Sequence, residues 1–324
     1  MRVKPLHRRW VAALLLALSL DATVQAAETL RVGYQKYGTL VLLKARGTLE
    51  KRLAEQGVTV QWTEFPGGPQ LLEGLNVGSI DFGVTGETPP VFAQAAGADL
   101  VYVAHEPPAP TSEAILVPKD SSIQTLADLK GKKIVLNKGS NVHYLLVRAL
   151  EMAGLKYSDI QPIYLPPADA RAAFERGSAD AWVIWDPYQA AAEKQLQART
   201  LTDGTGLVDN HQFYLSTRPY AQQHPQVIAT LVDEVRSVGE WAKANPKEVA
   251  KQVTPLLGLP EDIARTVVAR QGYGAQFITP EVVTAQQKIA DAFTQIRLIP
   301  KTLAVRDVIW TPPANLAQRA EVKP

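Results

Sequence analysis

Residues 66–90 read PGGPQLLEGLNVGSIDFGVTGETPP. A Pro-Gly-Gly loop leads into Leu71, Leu72 and Leu75 at helical spacing, which predicts a helix over Pro69–Val77. Gly78-Ser79 punctuates it. Ile80–Thr85 (IDFGVT) is short, apolar and bounded by turn residues, as a buried strand is. Thr88-Pro89-Pro90 opens a further helix, where proline is tolerated because the first-turn N–H has no partner to lose. Loop, helix, turn, strand and helix in this order form the unit of an α/β fold.

The same alternation extends both ways. Upstream, Leu30–Gln35 reads as a strand, Thr39–Gln56 as a helix and Val58–Phe65 as a strand; downstream, Val101–His105 closes the series. The middle of the chain restarts the plan: strand Lys133–Leu136, turn Gly139-Ser140-Asn141, helix Val142–Ala153, strand Ile160–Leu165, helix Ala168–Arg176 and strand Ala179–Trp185. Gly78-Ser79-Ile80-Asp81 and Gly177-Ser178-Ala179-Asp180 occupy matching places, 99 residues apart, and each following strand ends in an acid and a proline. Preserved element order around such a match predicts two similar lobes, each a mostly parallel sheet covered by helices.

From Pro219 to Arg297 the chain reads helical, with boundaries at Pro219, Pro246, Pro260 and Pro280, and Thr279-Pro280-Glu281 is a strong helix start. Glu106–Ser112 (EPPAPTS) is a natural crossing between lobes, and His211–Thr217 is the expected return. The expected partition is residues 1–26 as a leader, 27–109 plus 218–324 as lobe 1, and 110–217 as lobe 2.

The leader is read from Arg2, Lys4, Arg8 and Arg9, then the apolar run VAALLLALSL, then a small-residue exit at Ala26-Ala27. These are the parts of a secretory signal peptide, expected to be cleaved after Ala26 or Ala27. The apolar run is about half the roughly 20 residues a membrane span needs, so no stable membrane insertion is expected. Without residues 1–26 the chain carries 30 Lys and Arg against 31 Asp and Glu, a balance that does not suit a nucleic-acid surface. No cysteine is present, which removes disulfides, thiolate chemistry and lipid attachment at the exit. The expected compartment is the periplasm.

In open parallel sheets, ligands sit beyond the carboxyl ends of strands, where helix N-termini converge. That rule nominates Gln35–Gly38, Pro66–Gln70, Thr85–Thr88, Gly139–Val142 and Trp185–Tyr188. Glycine beside hydroxyl or amide at a helix start suits an anion. None of these segments contains Arg, the usual bidentate partner of phosphate or dicarboxylate. A monoanionic head with an organic tail fits better, with Tyr34, Phe65, Trp185 and Tyr188 as candidate apolar walls and Trp182 as core. Catalysis has little support: His105, His143, His211 and His224 show no ligand spacing, and HExxH, GxSxG, P-loop and GxGxxG patterns are absent. No catalytic residue, metal or cofactor is expected. Glu87 and Asp186 end corresponding strands and read as helix caps or inter-lobe partners rather than an acid–base pair.

LRVGYQK (30–36), residues 64–108 around the opening stretch, KGSNVHYLLVRAL (138–150), ADARAAFERGSADAWVIWDPY (168–188) and RLIPKTLAVRDVIW (297–310) resemble the periplasmic aliphatic sulfonate-binding proteins of ABC importers. The chain is similar, more loosely, to taurine-, nitrate- and thiamine-precursor-binding relatives. The resemblance implies a type II periplasmic-binding-protein fold: two α/β lobes, a two-segment hinge and a ligand cleft between them. It also implies a monomer that takes an alkanesulfonate and serves a membrane permease and ATPase in sulfur acquisition, with taurine, nitrate or another small organic anion as the alternative ligand. Carried onto this chain, the sulfonate oxygens would meet Gly67-Gly68, Thr85-Gly86 and Ser140-Asn141, with Gln35 adding an amide and Trp185 and Asp186 facing them. Glu87 stands where Asp is frequent, and Asn141-Val142 where a Ser pair is frequent. An acid at the cleft edge would shift selection toward tails carrying an amine.

Overall fold

The computed structural model describes residues 28–313. The expected signal peptide lies outside the described residues. Eleven strands run in chain order: β1 Glu28–Tyr34, β2 Val58–Glu64, β3 Phe82–Gly86, β4 Leu100–His105, β5 Glu113–Val117, β6 Lys133–Leu136, β7 Gln161–Tyr164, β8 Ala181–Trp185, β9 Arg199–Asp203, β10 Gln212–Thr217 and β11 Gln276–Phe277. They form two sheets of order β11-β4-β10-β3-β1-β2 and β7-β6-β8-β5-β9. No helix among the described residues is long and apolar enough to cross a membrane.

The two sheets share one plan. β1 pairs in parallel with β2 and β3, as β6 does with β7 and β8. The repeated Gly-Ser-x-Asp is the joint that builds each. Gly78 and Gly177 both take φ of 70°, the left-handed conformation that glycine reaches at little cost after a helix. The acid two residues beyond the serine then pins the neighbouring strand. Asp81 Oδ2 accepts from the Arg31 backbone N–H at 2.9 Å, and Asp180 Oδ2 accepts from that of Lys133 at 2.7 Å.

Neither sheet is as parallel as the sequence suggests. β10 runs antiparallel between β3 and β4, and β5 runs antiparallel between β8 and β9. Each sheet therefore takes a reversed strand from a chain that has just crossed from the other, and the short β11 adds a second reversed strand at the edge of the first sheet. The outgoing crossing falls at residues 106–112, as expected. His211–Thr217 is not the return: Gln212–Thr217 is a strand in the middle of the first sheet, and the crossing precedes it, between Asp203 and Gln212. QFYLST is buried on both faces, as a central strand is.

The expected helix Thr39–Gln56 is two, Thr39–Arg46 and Thr48–Ala54, because Gly47 adopts φ of 61° and ends the first. The C-terminal region is helical as read, with helices Arg218–Gln223, Pro225–Ala244, Pro246–Leu257, Glu261–Arg270 and Pro280–Gln295. Leu40, Leu43, Leu49 and Leu53 pack with Ile228, Leu231 and Val235 over one face of the first sheet. Leu71, Leu75, Val91 and Phe293 belong to a core that continues into the second sheet around Trp182. Phe293 meets Phe92 at 4.9 Å and His143 at 5.2 Å between ring centroids, so the last helix touches elements leading from both sheets.

Candidate functional site

The carboxyl ends of β1, β3, β6 and β8 face one another across the gap between the sheets. Gln35, Tyr37, Gly68, Gly86, Pro89, Asn141, Trp185 and Gln212 enclose a cavity of about 10 Å³. That is room for about one water, so a larger anion must spread its walls. Three of these residues, Gln35, Tyr37 and Trp185, also line a chamber of about 220 Å³ bounded by Phe65, Pro66, Pro187, Tyr188, Ala191, Leu257 and Leu259, with Lys36, Glu64 and Arg171.

Two helix N-termini meet at the small cavity, one from each sheet's helices. Helix Gly68–Asn76 starts at Gly68, and helix Asn141–Met152 starts at Asn141. First-turn N–H groups lack intrahelical partners and, with the helix dipole, favour an anion. Helix Pro89–Ala96 adds little, because Pro89 and Pro90 have no N–H and Val91 N–H is taken by Thr88 O. Close backbone approach needs glycine here. A methyl group at Gly68 would lie 2.7 Å from Pro89 Cγ, and one at Gly67 would lie 3.0 Å from Asn137 Nδ2 and 3.8 Å from the Trp185 ring.

The structure thus brings Gln35, Gly68, Gly86, Asn141 and Trp185 together, with Gly67 beside them. Thr85 and Ser140 sit directly behind. Thr85 is buried with its hydroxyl donating to Gly86 O at 2.9 Å, and Ser140 Oγ donates to Asn137 O at 2.7 Å. Gln35 Nε2 donates to Val84 O at 3.0 Å, which occupies one of its two amide hydrogens.

Asp186 and Glu87 are placed elsewhere. Asp186 Oδ1 caps helix Tyr188–Gln195 through Ala190 N–H at 2.9 Å and receives Arg270 Nη1 at 3.4 Å. Burial outweighs that cation and pushes the Asp186 carboxyl up to about 6. Glu87 is fully buried and its Oε2 accepts from His211 N–H at 3.1 Å. It borders a separate pocket of about 670 Å³ near Tyr144, Asp209 and Gln286, and does not line the small cavity or the apolar chamber. Burial pushes its carboxyl up to about 8. His143 is fully buried: Nδ1 accepts from Gly139 N–H at 3.1 Å, and Nε2 lies 2.9 Å from Tyr157 OH. Burial lowers its imidazole to about 3. It holds the turn before helix Asn141–Met152.

Sequence reasoning passed over Asn137 and Gln212, and reached Tyr37 only as part of the segment Gln35–Gly38. Asn137 directly follows β6, where the strand-end rule points, and its Nδ2 is buried with no protein partner. Tyr37 OH donates to Ser112 Oγ at 2.8 Å on the outgoing crossing. On the return, Asn210 Oδ1 accepts from Asn141 Nδ2 at 3.2 Å, while Asn210 Nδ2 reaches Ser112 Oγ and Ala109 O, each at 3.0 Å. Asn141 Nδ2 also donates to the buried Glu113 Oε2. Both crossings are therefore bonded to residues lining the cavity.

Two mixed sheets of matching order, joined by two crossings and meeting at opposed helix N-termini, define a bilobal solute-binding protein of the periplasmic-binding-protein type. The chain belongs to the NMT1/THI5-like family, whose pattern matches residues 53–249. It is 48% identical to an aliphatic sulfonates-binding protein of Escherichia coli strain K12, over 90% of this chain and 91% of that one. A Bacillus subtilis protein of the same description is 31% identical, over 86% and 85% of the two chains. Among solved structures, the alkanesulfonate-binding protein of Xanthomonas axonopodis pv. citri bound to MOPS superposes with a TM-score of 0.84 at 44% identity, covering 88% of this chain and 99% of that one.

Proposed function

We propose that this protein is the soluble substrate-binding component of an ABC importer, capturing aliphatic sulfonates in the periplasm for a membrane permease and its ATPase. It is a receptor and not an enzyme. The observation that carries the reading is the meeting of Gly68 and Asn141, each the first residue of a helix, at one cavity beside an apolar chamber. The aliphatic sulfonate-binding relatives supply the head group.

The energetics agree with a head-plus-tail ligand. Two partly buried helix ends contribute at most ~4 kcal/mol. Burying four methylenes adds ~3 kcal/mol, which approaches the roughly 8 kcal/mol of micromolar binding. The lobes of this reading are residues 28–105 with 212–310, and 113–203, turning about the two crossings. Residues 1–26 act as the export signal, and the mature protein works as a monomer.

Calorimetric titration of ligand-stripped mature protein with butanesulfonate, taurine, nitrate, sulfate and butyrate tests the assignment. Preferential binding of butanesulfonate at micromolar or tighter Kd is expected. Silence toward every sulfonate, with heat from nitrate or another anion, overturns the ligand while leaving the fold.

A further inference from the structure

The head site and the tail chamber are built from different parts of the chain. The residues around the small cavity come from strand ends, the loops that follow them, helix starts and the first residue of β10. The chamber has a wall of other origin, Leu257 and Leu259, from the corner between helices Pro246–Leu257 and Glu261–Arg270. We propose that Leu257 and Leu259 are specificity-determining residues for the ligand's tail, favouring apolar or ring-bearing sulfonates over ammonium-bearing ones; this rests on the sulfonate reading above.

The corner is fixed locally. Gly258 takes φ of 66°, and the N–H groups of Gly258 and Leu259 return to Thr254 O at 3.1 and 3.4 Å. Pro260 then starts the next helix. The leucines are held against the opposite lobe by an apolar patch of Ala190, Ala191, Ile263 and Val267. Arg270 reinforces that contact through Glu193 at 2.8 Å and Asp186 at 3.4 Å. The two leucines thus share the chamber wall with Phe65, Trp185 and Tyr188.

The polar rim points the same way. Lys36 and Arg171 border the chamber with a single acid, Glu64. Lys36 Nζ already pairs with Glu64 at 3.6 Å, and Arg171 is held by Glu175 at 2.6 Å. An ammonium tail would meet two cations and one carboxylate that already faces Lys36, a balance of charge that disfavours it. The volume of about 220 Å³ is below the range of drug-sized sites, which suits a short alkyl chain or one small ring.

The experiment is calorimetric titration of the mature protein and its Leu257→Ala/Leu259→Ala and Leu259→Trp variants. The probes are ethanesulfonate, hexanesulfonate, cyclohexanesulfonate and taurine, and circular dichroism checks folding. The wild type is expected to bind hexane- and cyclohexanesulfonate at least tenfold more tightly than ethanesulfonate or taurine. The double alanine variant should narrow that ratio about tenfold while changing ethanesulfonate affinity less than about twofold. The tryptophan variant should exclude the longer tails and retain ethanesulfonate. An equal change for every ligand, or an unchanged ratio in folded variants, overturns the proposal and leaves the sulfonate assignment standing. Failure of the wild type to bind any sulfonate overturns both.

Discussion

Gly86, the last residue of β3, lies directly against Asn141, the first residue of the facing helix: a methyl group on Gly86 would sit 2.8 Å from Asn141 Cβ. The two belong to opposite sheets, so this approach measures how closely the lobes meet at the anion site. Gly86→Ala leaves β3 intact but holds the lobes apart. Sulfonate affinity should fall at least tenfold in calorimetry, with the far-ultraviolet circular dichroism spectrum unchanged. Retained affinity would mean that the site binds without this approach.

Asn210 joins both crossings to the site. It adopts φ of 52°, and its side chain bonds Asn141, Ser112 and Ala109. Leaving such buried partners unsatisfied costs roughly 1–3 kcal/mol. Asn210→Gly should therefore lower the thermal midpoint by several degrees. Asn210→Ala should lower it further, by a left-handed-backbone penalty of about 1 kcal/mol. Equal midpoints for the two variants would show that the conformation relaxes.

Buried acids set the pH response. Burial raises Glu106 to about 7 and Glu87 to about 8, and holds Glu113 well above its ordinary value. An acid whose folded value is raised contributes stability that is fully present below its unfolded pKa and lost as pH climbs through the folded one. His105 and His143, lowered by burial to about 4 and about 3, act oppositely: stability rises with pH until the unfolded imidazole is neutral near 6.5. The two sets offset one another below pH 6.5, and above it only the acids remain. Differential scanning calorimetry should show the midpoint falling between pH 6.5 and 8.5, with Glu87→Gln flattening the decline. A midpoint that rises across this window would overturn the assignment of these protons.

The local joints were legible. Gly78-Ser79-Ile80-Asp81 and Gly177-Ser178-Ala179-Asp180 announced two equivalent lobes, and the structure shows why: each acid ties its own strand to the parallel neighbour. Gly68, Gly86 and Asn141 were found by the strand-end rule, because turn chemistry and helix starts are written in adjacent residues. Gln212 was not, since β10 was read as a connection rather than a strand.

What the sequence by itself determined is the set of elements and most of the site loops, because helix period, strand length and glycine or proline punctuation act over a few residues. Tertiary structure decided which elements meet. Only folding inserts β5 and β10 reversed into their sheets, sets Arg270 on Asp186 across 84 positions, and joins Glu87 to the backbone of His211. Only folding brings Leu257 and Leu259 to the tail chamber. Those outcomes depend on burying surfaces distant in the chain, and no local pattern records the partner a buried face will find.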